Sequence, residues 1–129
     1  MKKKTEAQLK RELDKLVSLY VRQYWANDEG MVACYTCHKT GHWKSMHCGH
    51  YIPRNVLITR WNENNLRPQC VGCNMFGNGK PLDFEERLKR EIGEKEVEQM
   101  KASRHKVFKV DRIWYEEQIE IYTKKLEEL

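Results

Sequence analysis

Two Cys-x-x-Cys pairs, Cys34/Cys37 and Cys70/Cys73, constrain this chain more than any other feature. Each pair offers two thiolates from one tight turn, and two such knuckles make the tetrahedral four-sulfur set that Zn²⁺ takes. A zinc ion there pins together two segments far apart in sequence. It holds the intervening His47-Cys48-Gly49-His50-Tyr51 stretch close to the segment that opens at Asn74. The leftover Cys48 reads as a small buried apolar residue. The start, Met1-Lys2-Lys3-Lys4-Thr5, has a basic head with no apolar region behind it, so it does not read as a secretory signal. Without an export signal, the cysteines point to metal rather than disulfides and to a cytoplasmic protein. No apolar run is long enough to span a bilayer, so no membrane role is expected.

The 129 residues fit one domain, which a closed metal site helps to hold together. The pattern predicts an α+β fold: an N-terminal helix over 5–28, a zinc module over 31–80 and C-terminal helices over 81–129. In the first helix Leu9, Leu13, Leu16, Val17, Tyr20 and Tyr24 recur at three- and four-residue steps, and Gly30 suits a left-handed cap. Lys39 to His42 reads as a turn, and Trp43 to Tyr51 as two short strands around the histidines. Glu63 to Leu66 reads as a turn leading into the second knuckle. Asp83 and Glu86 resemble a capping box for a helix that Gly93 ends. A second short helix covers 94–103, and Asp111 caps the last one. There Tyr115, Ile119, Tyr122, Leu126 and Leu129 form a heptad-like stripe. The two stripes are either core faces or the seam of a homodimer.

Chemistry enters with His50, Asn74 and Asn78. Asn74 adjoins Cys73, so zinc fixes where its segment starts. On a helix, Asn78 four residues on points the same way. Asn74 alone is more readily a helix cap, and it is His50 and the zinc frame beside it that favour a metal ligand. A neutral imidazole with a pKa of about 6.5 takes a proton from water at neutral pH. Together with a divalent ion on the phosphate, that gives phosphodiester hydrolysis. Lys and Arg number 24 against 19 acids, for a net charge of +5, which fits a nucleic-acid partner. Arg54, Arg60, Arg67 and Lys80 flank the proposed site as phosphate contacts. Trp43 and Trp61 either stack on unpaired bases or pack over the zinc hairpin.

Gly49-His50-Tyr51 followed by Arg54, then Asn65 through Asn74, then Gly77-Asn78-Gly79, resembles the phage NinG/Rap recombination proteins. More broadly the chain is similar to the zinc-clamped HNH, or ββα-metal, nucleases, including the endonuclease VII type of resolvase. The resemblance implies a metal-dependent endonuclease acting on branched or recombination-intermediate DNA of the Holliday-junction kind. It implies structural Zn²⁺ with catalytic Mg²⁺ or Mn²⁺, and a homodimer in the host cytoplasm. By position it makes His50 the general base and Asn65 the residue whose side chain holds the loop. Asn74 and Asn78 then face the catalytic ion. Relatives carry an acid close before the histidine, where this chain has His47 and Gly49. Either His47 ligates the ion, or a more distant acid such as Asp83 or Glu85 does, or metal binding is weak. The alternative is a non-catalytic zinc-ribbon module that binds nucleic acid.

Overall fold

The structure, a computed structural model, describes residues 3–129, so Met1 and Lys2 of the basic start lie outside the described residues. Thr5 opens α1 (Glu6–Tyr24). Its hydroxyl accepts the Gln8 N–H at 3.1 Å, and the Gln8 side chain accepts the Thr5 N–H at 2.7 Å. This reciprocal cap satisfies two donors that a helix start leaves orphaned. The helix stops at Tyr24, earlier than the expected 28. Asn27 Oδ1 accepts the N–H groups of both Glu29 and Met31, a local turn that competes with helix. Gly30 follows at φ 81°, where a Cβ would sit 2.5 Å from the His42 ring.

Two antiparallel pairs of strands frame the middle of the chain. In the first, β1 (Met31–Ala33) pairs with β2 (Thr40–His42), a segment the sequence reading gave to a turn. The first knuckle itself reverses the chain: Cys34 N–H reaches the Lys39 carbonyl and His38 N–H the Cys34 carbonyl. In the second, β3 (His47–His50) pairs with β4 (Leu66–Gln69), with His47 opposite Gln69 and His50 opposite Leu66. The two strands expected within Trp43–Tyr51 are therefore one, preceded by a tight helical turn at Trp43–Ser45. Its partner comes from beyond the loop. Pro68 argues against a strand there, but a two-stranded sheet consists only of edges, where proline is tolerated. The loop between β3 and β4 holds α2 (Leu57–Arg60) and a tight turn at Glu63–Asn65.

After the second knuckle come α3 (Pro81–Ile92), α4 (Glu94–Ser103) and α5 (Arg112–Glu127). Lys80, at φ 49°, precedes α3 and Pro81 fills its first position. Asp83 is therefore not the cap but sits in the first turn, where a negative charge suits the helix dipole. Asp111 caps α5 by accepting the Trp114 N–H at 2.9 Å.

Two apolar cores result. In one, Leu9, Leu13, Val17, Tyr20 and Val21 of α1 close on Tyr115 and Tyr122 of α5, with Trp61 and Leu66. In the other, Phe84 and Leu88 of α3 and Val97 and Met100 of α4 close on Tyr35 and Ile52. The stripes offered as a dimer seam thus cover each other, with Tyr20 edge-on to Tyr122 at 5.6 Å. Only Leu129 of the C-terminal stripe stays exposed.

Candidate functional site

The four knuckle cysteines converge, with all four Sγ atoms within 4.8 Å of one another. Cys37 and Cys70 Sγ are 3.7 Å apart. A tetrahedron with Zn–S bonds of about 2.3 Å has edges of about 3.8 Å, so the set fits zinc. Burial disfavours the Cys34 thiolate, yet the N–H groups of Cys70, Cys37 and Thr36 outweigh it and bring the pKa down to about 6. The thiolate is the form that binds metal, and since Cys37 and Cys73 are pushed the other way, Cys73 by burial and by the neighbouring sulfurs, it takes a cation's charge to hold all four as thiolates. No imidazole or carboxylate joins this cluster among the described residues. The ion's place ties the tip of the β1–β2 hairpin to the end of β4.

Directly after Cys73 the chain makes one wide turn, Gly72–Phe76. Gly77 N–H bonds the Gly72 carbonyl at 2.8 Å, a five-residue step of π type. The turn is too short for the expected four-residue helical spacing. Asn78 lies past it, at φ 55°. Both asparagines nevertheless line one cavity of about 940 Å³, shared with His47 and His50. Gln69, which sequence reasoning missed, steadies the Asn78 turn. Its Nε2 donates to the Gly79 carbonyl at 2.9 Å and to Thr36 Oγ1 at 3.1 Å. The buried Gln69 side chain lies against Gly49, where a Cβ would fall 1.9 Å from Oε1. Glycine beside His50 is thus a packing requirement of Gln69.

His50 ends β3 with its Nε2 3.0 Å from the Arg60 carbonyl oxygen. A carbonyl only accepts, so Nε2 carries the proton and the neutral ring keeps its lone pair on Nδ1. Burial holds the pKa below its ordinary value, against the pull of the Arg60 carbonyl toward the charged form. The Asn74 side-chain amide lies 3.0 Å from His47 Nδ1. With Asn74 Nδ2 as donor, Oδ1 remains free for a cation. His47 Nδ1 cannot both accept this bond and ligate an ion, so His47 orients Asn74 instead of joining it as a ligand through that nitrogen.

Three other expected residues lie elsewhere. Asn65 is fully buried outside the cavity and spans the loop: Oδ1 accepts the Ile52 N–H at 2.7 Å, and Nδ2 donates to the carbonyls of Ile52 and Thr59 at 3.0 and 3.1 Å. Arg67 is no phosphate contact. It turns inward, pairs with Glu91 at 2.5 Å and bonds the Glu63 and Leu66 carbonyls. Its guanidinium packs on the rings of Trp25 and Tyr35. Lys80 is exposed but does not line the cavity. Nor do Asp83 and Glu85, and Glu85 is already held by Tyr51 Oη and Lys101. Trp61 packs on Trp114 and Tyr115 of α5, not over the zinc hairpin.

Charge around the cavity is one-sided. Lys15 and Arg22 come from α1, Lys44 from the turn before β3, Arg54 and Arg60 from the loop, and Lys101 and Arg104 from the end of α4. Asp14 is the only acid among the lining residues. Sequence reasoning named Arg54 and Arg60 and missed the rest, because they are spread over three elements. Low-dielectric walls lined by one sign of charge concentrate ligands of the other sign.

Fold and site together define a small α+β domain with a zinc-type cysteine clamp and a cation-lined cavity suited to a polyanion. The chain belongs to the NinG family: the family model described as "Bacteriophage Lambda NinG protein" matches residues 1–129. No curated protein and no solved structure matches the chain. No helix among the described residues is long and apolar enough to cross a membrane.

Proposed function

We propose that the chain is a metal-dependent endonuclease of the HNH, or ββα-metal, kind that cuts branched DNA intermediates of phage recombination. The carrying observation is His50 on the cavity wall, with Nε2 engaged by the Arg60 carbonyl and Nδ1 left as the basic atom. Support comes from the order of elements. A strand ending in His50, a loop held by Asn65, a paired strand and a turn bearing Asn74 are clamped by four cysteines.

In this reading the exposed cations Lys15, Lys44, Arg54 and Arg104 bind and orient the phosphate backbone, which carries affinity without reading sequence, while Arg60 is held inward by Asp14. His50 Nδ1 takes a proton from the attacking water. Asn74 Oδ1 offers one oxygen to a divalent ion, and Asp14, the one acid among the lining residues, is already engaged by Arg60, Trp61 and Arg54. This donor set fits an ion that keeps most of its shell as water and phosphate oxygens, as Mg²⁺ or Mn²⁺ does. When bound, such an ion supplies charge stabilisation to the phosphate and the leaving oxygen.

The test is cleavage of a synthetic four-way junction and a matched linear duplex by zinc-loaded protein with Mg²⁺ or Mn²⁺. Metal-dependent cutting that favours the junction is expected. His50→Ala should lower it by about 10²–10⁴-fold, the usual worth of a general base, with junction binding nearly unchanged. Binding without cutting by the wild type would leave a zinc module that only binds nucleic acid.

A further inference from the structure

Asp14 sits on α1, outside the strand–loop–strand segment that carries His50. Four donor contacts converge on its carboxylate. Arg60 grips it at two points, Nε to Oδ1 at 3.0 Å and Nη2 to Oδ2 at 2.6 Å. Trp61 Nε1 donates to Oδ1 at 2.8 Å, and Arg54 Nη2 to Oδ2 at 3.2 Å. The Arg60 and Trp61 side chains project from either side of one peptide group. The carbonyl of that peptide is the oxygen that receives the proton of His50 Nε2. Arg60 Nη1 also returns to the Arg54 carbonyl at 2.9 Å, which ties the grip to the start of the loop.

Two-point guanidinium–carboxylate geometry fixes orientation as well as distance. The Arg60 side chain is only 12% exposed, so the grip is shielded from competing water. Burial disfavours the Asp14 charge, and the Arg60, Trp61 and Arg54 donors more than offset it, keeping its pKa below the ordinary value. An imidazole's tautomer is set by what its other nitrogen bonds. Whatever fixes the Arg60 carbonyl therefore decides which nitrogen of His50 is basic.

We infer that Asp14 is a positioning residue for His50: through Arg60 and Trp61 it holds the Arg60 carbonyl that keeps the proton on Nε2 and the lone pair on Nδ1. The chemical part of this inference rests on the nuclease reading above, whereas the tautomer part does not. It makes α1 a component of the site rather than a cover for the zinc module.

The experiment uses the full, zinc-loaded chain labelled with ¹⁵N. Long-range ¹H–¹⁵N correlation reports which His50 nitrogen is protonated, with the signal assigned by its absence in His50→Gln. Wild type should show the Nε2–H form alone. Asp14→Ala and the shape-conserving Asp14→Asn, each checked for cooperative unfolding and bound zinc, should show mixed tautomers. Asp14→Asn keeps the test open if Asp14→Ala does not fold. In junction cleavage the variants should lose about tenfold in kcat with KM within twofold, as expected for a base held in the wrong form. A folded variant with the unchanged Nε2–H form overturns the inference. If wild type does not cut any DNA, the nuclease reading fails, and mixed tautomers in the variants still support the positioning role.

Discussion

Removing the Asn65 side chain should unfasten the loop that carries Arg60. In Asn65→Ala three hydrogen bonds disappear at a fully buried position. The Thr59 carbonyl keeps a second partner in the Asn62 N–H at 3.2 Å. The Ile52 N–H and C=O lose the amide that served both. Each buried orphan costs about 1–3 kcal/mol, which gives a loss of about 2–6 kcal/mol for the pair. That is a large part of the roughly 5–15 kcal/mol that holds a domain together. With a urea slope of about 2 kcal/mol/M, the midpoint should fall by about 1–3 M. The assay is equilibrium urea unfolding of the zinc-loaded protein, followed by tryptophan fluorescence because Trp61 is buried against α5. Asn65→Asp should be at least as damaging, since it aims a carboxylate at two carbonyl oxygens. A loss under about 1 kcal/mol with an unchanged slope would show that the loop does not hang on this amide.

The protein should carry one Zn²⁺ per chain, and Cys70→Ser should lose both the metal and cooperative folding, as elemental analysis and thermal melts would report. Gly49→Ala should displace Gln69, release the Asn78 turn and lower stability by about 2–4 kcal/mol, because a Cβ cannot share space with a buried side chain that already bonds Thr36 and Gly79. A melt within a degree of wild type would refute that account. The His50 pKa is lowered in the folded state, so its neutral form is the one folding favours. That stability is present above the unfolded value of about 6.5 and is lost as pH falls below it toward the folded value. The stability gap between wild type and His50→Gln should therefore narrow between about pH 7 and pH 5.5, and a constant gap would count against the buried neutral ring.

The parts of this molecule that were legible in its sequence are those whose physics is local. Knuckle spacing alone brought four cysteines to one point, and helical periodicity marked the buried faces of α1 and α5. Periodicity could not say that these faces meet each other, since a stripe has the same spacing whatever covers it. Strand β4 was hidden because all four of its residues are buried, which erases the alternation that marks a strand, and because Pro68 argued the other way. Arg67 illustrates a different limit. Proximity in sequence to a site does not fix direction, and in the pairing of Gly49 with Arg67 the arginine turns toward Glu91 and two aromatic rings. The α1 wall was missed because Asp14, Lys15, Ser18 and Arg22 look like an ordinary solvated face until the fold places a cavity beside them.

The pairing of α1 with α5 also sets an order of events during synthesis. Tyr20 leaves the ribosome long before Tyr122, yet each is the other's cover. The zinc knuckles need only residues 34–73 and can close while the chain is still growing. The first helix can rest on Trp61, Leu66 and the β3–β4 pair early, but the part of its apolar stripe that Tyr115 and Tyr122 cover stays exposed until the last helix arrives. Contacts of this sequence separation are slow to form, and exposed stripes of this kind are where nascent chains misassociate. Since Asp14 and Arg22 travel on α1, the cavity's third wall gains its apolar backing only at the final step. An incomplete chain would hold its metal clamp beside a site whose α1 wall lacks its backing.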